Sequence, residues 1–140
     1  DKAKKRFFAW LYNPNAEDYL TERFYNKTKV LKKYYRDGIV ATPFGRKIPT
    51  DDFHALNYLL QSTSSDNCMM QCTKINKFLM NNKSFVHSVV HDSLTIDLSL
   101  NDRHLLPQIQ EIFEDTQLGW FKSSAHVGSN LRDLMEVSWS

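Results

Sequence analysis

The residues in this chain best suited to chemistry lie in Val89-Val90-His91-Asp92-Ser93-Leu94-Thr95-Ile96-Asp97-Leu98, where one carboxylate, Asp92, stands between two short apolar runs. Upstream is Ser84-Phe85-Val86-His87-Ser88-Val89-Val90. Downstream, Leu94, Ile96 and Leu98 alternate with Thr95, Asp97 and Ser99, the period of a half-buried strand. The pattern predicts a hairpin with Asp92 at or near its tip, exposed but held by the strands. Such a carboxylate can bind a metal ion, although an Asp at a strand-to-strand turn is more often a simple turn former. Near the N-terminus, Lys4, Phe8 and Tyr12 fall four apart, so a helix puts them on one face. Aromatics at that spacing are commonly core residues.

A rival constellation is Cys68-x3-Cys72 with His87-x3-His91, two pairs loosely spaced like zinc ligands. The cysteines fall on the apolar face of a long helical stretch, where small core residues are expected. Residues four apart on a strand lie about 13 Å apart, too far to share one ion. A small zinc-binding module is therefore only a remote reading of these residues.

Charge is unevenly distributed. The net charge of the whole is +2, but residues 1–50 carry 12 basic and 5 acidic side chains, against 6 and 11 in residues 51–140. The basic half is interleaved with Phe7, Phe8, Trp10, Tyr12, Phe24, Tyr25, Tyr34 and Tyr35. Basic side chains attract phosphates and aromatic faces stack on bases. The same composition also describes an amphipathic helix with lysines outside and aromatics inside.

The elements that must position these residues follow from pattern. At 140 residues with 41% hydrophobic and 13% aromatic side chains, the chain can fold as one domain with a core. Residues 2–12 read as a helix, broken at Asn13-Pro14-Asn15. Residues 16–36 read as a second, bent helical stretch with a face through Leu20, Phe24, Lys27, Leu31 and Tyr34, and Gly38 following its end. Ile39–Thr42 and Arg46–Ile48 flank a turn at Pro43-Phe44-Gly45 as a small hairpin. Thr50-Asp51-Asp52 can cap a long helix over about 52–81, its apolar face running through Leu56, Leu59, Leu60, Cys68, Met69, Cys72, Ile75 and Leu79. After the Asp92 hairpin, Asn101-Asp102 caps a helix through Leu105, Leu106, Ile109, Ile112 and Phe113, with Pro107 in its first turns. A strand near 121–127 and a short terminal segment complete an α+β chain. No apolar run is long enough to span a bilayer and no signal peptide is visible, so a cytoplasmic location is expected, without a membrane partner. Two cysteines in a chain of this size do not make a disulfide scaffold.

Taken in order, Lys4-Lys5-Arg6-Phe7-Phe8-Ala9-Trp10-Leu11-Tyr12, Phe44-Gly45-Arg46-Lys47, Ala55-Leu56-Asn57-Tyr58-Leu59-Leu60-Gln61-Ser62, His91-Asp92 and Val127-Gly128-Ser129-Asn130-Leu131 resemble the C-terminal part of family A DNA polymerases, most closely the phage-type members. The resemblance runs from Lys4 to the end. It implies residues 1–37 as a helical portion of the fingers and residues 38–140 as a portion of the palm. The activity it implies is template-directed DNA synthesis on a primer–template with deoxynucleoside triphosphates, in a bacterial or phage-infected cell.

The same resemblance assigns roles. Asp92 matches the palm carboxylate that binds Mg2+, and His91 the neighbouring histidine near the primer terminus. The second carboxylate of the two-ion site lies upstream of these residues, so an upstream polymerase segment or a complementary chain is an implied partner, and this chain alone is expected to be inactive. Lys4 pairs with triphosphate oxygens, Phe8 packs on sugar and base, and Tyr12 sits at the nascent base pair. Asn57 and Gln61 face the minor groove, where contacts read pair geometry, and Arg46 and Lys47 lie near the DNA backbone. Four departures stand out. Ser93 replaces the family's usual Glu, Asn13 replaces a Gly after the tyrosine, Phe53 stands where some members carry Arg, and the segment between Tyr12 and Gly45 is short, implying a trimmed fingers helix. A non-catalytic nucleic-acid-binding module descended from such a palm is the alternative.

Overall fold

The computed structural model describes residues 2–13 and 18–137. Pro14 and Asn15 of the expected break, the first residues of the expected second helical stretch and the last three residues of the terminal segment lie outside them. Helices and short antiparallel hairpins alternate in a mixed α+β chain. Two compact units divide it, Asp1–Asp66 and Asn67–Ser140. The division falls inside a long helix, whereas the expected fingers–palm boundary after residue 37 falls inside the first unit.

In the first unit, α1 (Lys2–Tyr12) turns Trp10 and Leu11 inward. They form a core with Val40, Ala55, Leu56 and Leu59, and Phe7, Val30, Leu31, Tyr34 and Tyr35 pack around it. The second helical stretch is two helices, α2 (Tyr19–Tyr25) and α3 (Lys27–Tyr34). Asn26 separates them at φ 43°, the left-handed conformation Asn tolerates better than most residues. It closes α2 with its backbone N–H and opens α3 with its side chain, which accepts from the Lys29 amide at 3.0 Å.

Gly38 does not terminate a helix. Asp37 and Gly38, at φ 51° and 75°, form the two-residue turn between β1 (Tyr35–Arg36) and β2 (Ile39–Ala41). Asp-Gly is a strong signal for a hairpin turn, and it captures the end of the helical pattern. Strand β3 (Lys47–Pro49) completes an antiparallel sheet, with Val40 opposite Tyr35 and Ile48.

Helix α4 (Ala55–Leu79) begins where the Asp51 carboxylate accepts the His54 amide at 2.9 Å. Its buried stripe differs from the expected one. Leu56, Leu59, Cys68, Ile75 and Leu79 are buried, but Leu60 and Met69 are exposed, and Asp66 and Gln71 take interior positions instead. Both polar side chains have partners there, which is the condition for burying them.

The second unit packs Ile75, Leu79 and Ile109 against Val86, Leu94, Ile96, Leu105 and Ile112. Strands β4 (Phe85–Val90) and β5 (Ser93–Asp97) pair antiparallel, with a bulge at His87. The extra residue puts Val86 opposite Ile96 and Val89 opposite Leu94, so two valines three apart share a face. That explains why the upstream run lacks clean alternation.

The expected cap at Asn101-Asp102 is absent. A 3-10 turn over Leu100–Leu105 occupies this stretch, and α5 (Leu106–Glu114) follows with Pro107 in its first turn. Asp102 is buried and accepts from the amides of Lys83 (2.9 Å) and Ser84 (2.8 Å) and from the Ser84 hydroxyl (2.8 Å). The Ser84 hydroxyl bond, with the two amides, holds this carboxyl below its usual range against the opposing effect of burial. Gln71, fully buried, donates its amide to the carbonyls of Ile112 and, at 2.7 Å, of Asp115, serving groups the end of α5 leaves unpaired.

The expected strand over 121–127 is shorter. Strand β6 (Asp115–Thr116) pairs with β7 (Gly119–Trp120), and β8 (Ala125–Val127) with β9 (Met135–Val137). Between them the Ser123 amide is diverted to the Glu114 carboxylate at 2.7 Å. A Cβ at Gly128 would collide with the Asp133 carbonyl, so only glycine fits the β8–β9 connection.

Ile75→Ala should destabilise the chain by about 2–5 kcal/mol and Ile75→Val by about 0.5–1.5 kcal/mol, read from urea unfolding. The lowered pKa of Asp102 means its stabilisation is full above the ordinary carboxylate pKa and is lost as pH falls through the folded-state value. Thermal melts from pH 6 downward should therefore decline less steeply for Asp102→Asn than for the unaltered chain, although the variant starts from a lower melting temperature.

Candidate functional site

On α1 the core-facing and solvent-facing aromatics separate cleanly. Trp10 is 4% exposed and its indole N–H reaches the Glu22 carboxylate at 3.2 Å. Phe8 and Tyr12, on the other face, are 39% and 51% exposed. Their rings stack with centroids 5.8 Å apart and planes 12° from parallel. The Lys4 ammonium lies 6.0 Å from the Phe8 centroid, the outer limit of cation–π attraction. Lys4, Phe8 and Tyr12 thus form a ladder of one cation and two stacked rings facing solvent. Arg6, by contrast, is engaged with Asp18, its second guanidinium bond measuring 2.6 Å. That pairing draws the Asp18 carboxyl far below its usual range, aided by the Thr21 amide it caps.

Asn57 and Gln61 share a face one turn apart, and the Gln61 amide donates to the Asn57 carbonyl oxygen at 3.1 Å. Lys47 is exposed on β3. Arg46 is only half exposed, because its guanidinium pairs with Asp66 at 2.5 Å. All seven of these residues belong to the first unit.

In the second unit, His91 and Asp92 are the two loop residues of the β4–β5 hairpin, between the paired Val90 and Ser93. Both are exposed. His91 takes φ 55°, a conformation costly for most side chains and cheaper for His, Asn and Asp. The Ser93 hydroxyl donates to the Val90 carbonyl at 2.8 Å and braces the turn. Burial pushes the Cys68 thiol up, with Cys72 and Asp92 adding to it in the same direction. Cys68 is buried, Cys72 is half-buried, and neither is in a disulfide. Among the described residues no three His, Cys, Asp or Glu side chains gather closely enough to hold one metal ion.

The sequence reading missed three polar groups. Asp66 lies seven residues after Leu59 and Gln71 four before Ile75, both in register with the buried stripe, a position where a polar residue needs a partner. The third is His54, whose imidazole lies 2.9 Å from the carboxylate of the expected cap residue Asp51, with Tyr58 stacked on that ring. The imidazole and its amide hold the Asp51 carboxyl below its usual range. No described helix is long and apolar enough to cross a membrane. Comparisons of the chain with protein-family models, curated proteins and solved structures find no match.

The division of α1 into two faces has a direct consequence. Phe8→Ala and Tyr12→Ala should each cost under about 1 kcal/mol of stability, whereas Trp10→Ala should cost about 3–5 kcal/mol, measured by denaturant unfolding.

Proposed function

We propose that this chain is a fingers–palm portion of a family A DNA polymerase and takes part in template-directed nucleotidyl transfer. The primer 3′-hydroxyl attacks the α-phosphate of a deoxynucleoside triphosphate, the bond to the β-phosphate breaks, and pyrophosphate leaves. The observation that carries the reading is the solvent-facing ladder of Lys4, Phe8 and Tyr12. Phe8 and Tyr12 stand exposed and stacked on the helix that turns Trp10 inward, with the Lys4 ammonium beside them. Lys4 holds triphosphate oxygens, Phe8 lies against the sugar and base, and Tyr12 meets the nascent pair. Asn57, Gln61 and Lys47 contact the duplex with Arg46, and His91 lies beside the primer terminus.

The exposed carboxylate of Asp92 fits one ligand of a magnesium ion, which binds through one or two carboxylates plus waters and substrate phosphates. Bound magnesium would supply charge neutralisation at the transferring phosphoryl group. A second carboxylate, from an upstream segment or another chain, completes the two-ion site. One observation favours the alternative of a non-catalytic nucleic-acid-binding module: Ser93 stands where the family usually has Glu.

The chain alone should not extend a primer, and mixing it with a polypeptide carrying the upstream segment should restore templated extension. In that assembly Asp92→Asn should lower the single-turnover rate about a hundredfold or more while leaving DNA affinity nearly unchanged. A loss below about tenfold, roughly 1.4 kcal/mol, would remove Asp92 from the role. DNA binding without extension by the assembly would leave the non-catalytic module standing.

A further inference from the structure

We infer that Asp66 is a positioning residue that aims Arg46 at a DNA phosphate, a step that rests on the proposed nucleic-acid function. Asp66 comes from the middle of α4 and its side chain is 10% exposed. One carboxylate oxygen takes the Arg46 guanidinium at 2.5 Å and the other accepts the Thr42 hydroxyl at 3.0 Å. Thr42 in turn ties the turn that carries Arg46. Its hydroxyl accepts the Arg46 amide at 3.2 Å, its N–H donates to the Arg46 carbonyl at 2.8 Å, and its carbonyl accepts the Gly45 amide at 2.9 Å. Gly45, at φ +89°, supplies the conformation this tight turn needs. Backbone and side chain of Arg46 are thus both referred to one buried carboxylate.

The pair is asymmetric. Asp66 is buried, but the Arg46 side chain remains 49% exposed, and the exposed Lys47 follows it. A guanidinium carries five donors in a rigid fork, so it can hold a carboxylate with one edge and present another to a phosphate. An unrestrained arginine freezes several torsions on binding; here the carboxylate has fixed them beforehand.

The test exploits a sign. Asp66→Asn is nearly isosteric, keeps an acceptor for Thr42 and adds one net positive charge. Charge alone predicts tighter binding to a polyanion; positioning predicts weaker binding. The full 140-residue chain is titrated against a fluorescein-labelled primer–template duplex by anisotropy at several salt concentrations, with circular dichroism as the check on folding. Asp66→Asn should bind roughly fivefold to tenfold more weakly, and its slope of log affinity against log salt should be shallower by about 0.9, one phosphate contact, as for Arg46→Ala. Binding as tight as the unaltered chain's, or tighter, overturns the inference and leaves the proposed function intact. If Asp66→Asn does not fold, Arg46→Lys decides, since it keeps the charge and loses the fork: weaker binding with a shallower slope supports positioning, and unchanged binding overturns it. Failure of the unaltered chain to bind the duplex at all defeats both readings.

Discussion

The constraint on which this structure depends is that a polar group taken out of water must find a partner. Leaving one unpaired costs about 1–3 kcal/mol, comparable to the margin by which a small domain folds. Helix α4 places two polar side chains on its buried stripe, and each recruits a different part of the chain. Asp66 gathers the β2–β3 turn through Thr42 and Arg46. Gln71 gathers the end of α5 through its carbonyls, and Lys74 adds a second donor to the Asp115 carbonyl at 3.2 Å. Asp102 and Glu114 do the same for the connections before β4 and after β7. Apolar packing supplies most of the stabilisation, but it is non-directional. These four side chains determine which segment lies where.

The need for such ties follows from the size of the sheets. Apart from the three-stranded sheet of the first unit, every sheet among the described residues is a two-stranded hairpin, which is marginal on its own in water. Register must then come from turns and from packing against helices. Asp37-Gly38 sets it for β1–β2, and the bulge at His87 sets which valines of β4 face Leu94 and Ile96. The bulge has a second effect. By re-phasing β4 it decides how the strand arrives at the tip, and so how His91 and Asp92 are presented.

Much of this was legible in sequence wherever one residue carried a strong local rule. The hairpin with Asp92 at its tip follows from alternation in Leu94, Thr95 and Ile96. Helix α1 follows from four-residue spacing, and the start of α4 from Asp51. What was not legible were competitions between rules. Asp37-Gly38 wins the end of α3 because a two-residue turn satisfies its backbone more locally than a helix cap. Asp102 reads as a cap by type, but its carboxylate bonds a segment eighteen residues away. Leu60 and Met69 read as core by type, yet Asp66 and Gln71 hold interior positions because their partners are distant in sequence. At the candidate site, spacing placed Lys4, Phe8 and Tyr12 on one face but could not say whether that face was wet. That depends on which aromatics the first unit's core had room for.

Departures from local rules fall at several of the residues proposed to act, and elsewhere too: Tyr19, Phe24 and Trp120 are more exposed than Phe8 or Tyr12, and Asn26 and Asp37 share the positive φ of His91. Phe8 and Tyr12 forgo burial, although burying a ring of that size is worth about 1.5–3 kcal/mol. His91 holds a positive φ that glycine would adopt more cheaply, and β4 carries an extra residue upstream of it, at His87. A sequence under selection for stability alone would remove such features, because each has a simple remedy: a polar residue at 8 or 12, a glycine at 91, a deletion at 87. On this one short helix Trp10 and Leu11 are buried while Phe8 and Tyr12 stay exposed.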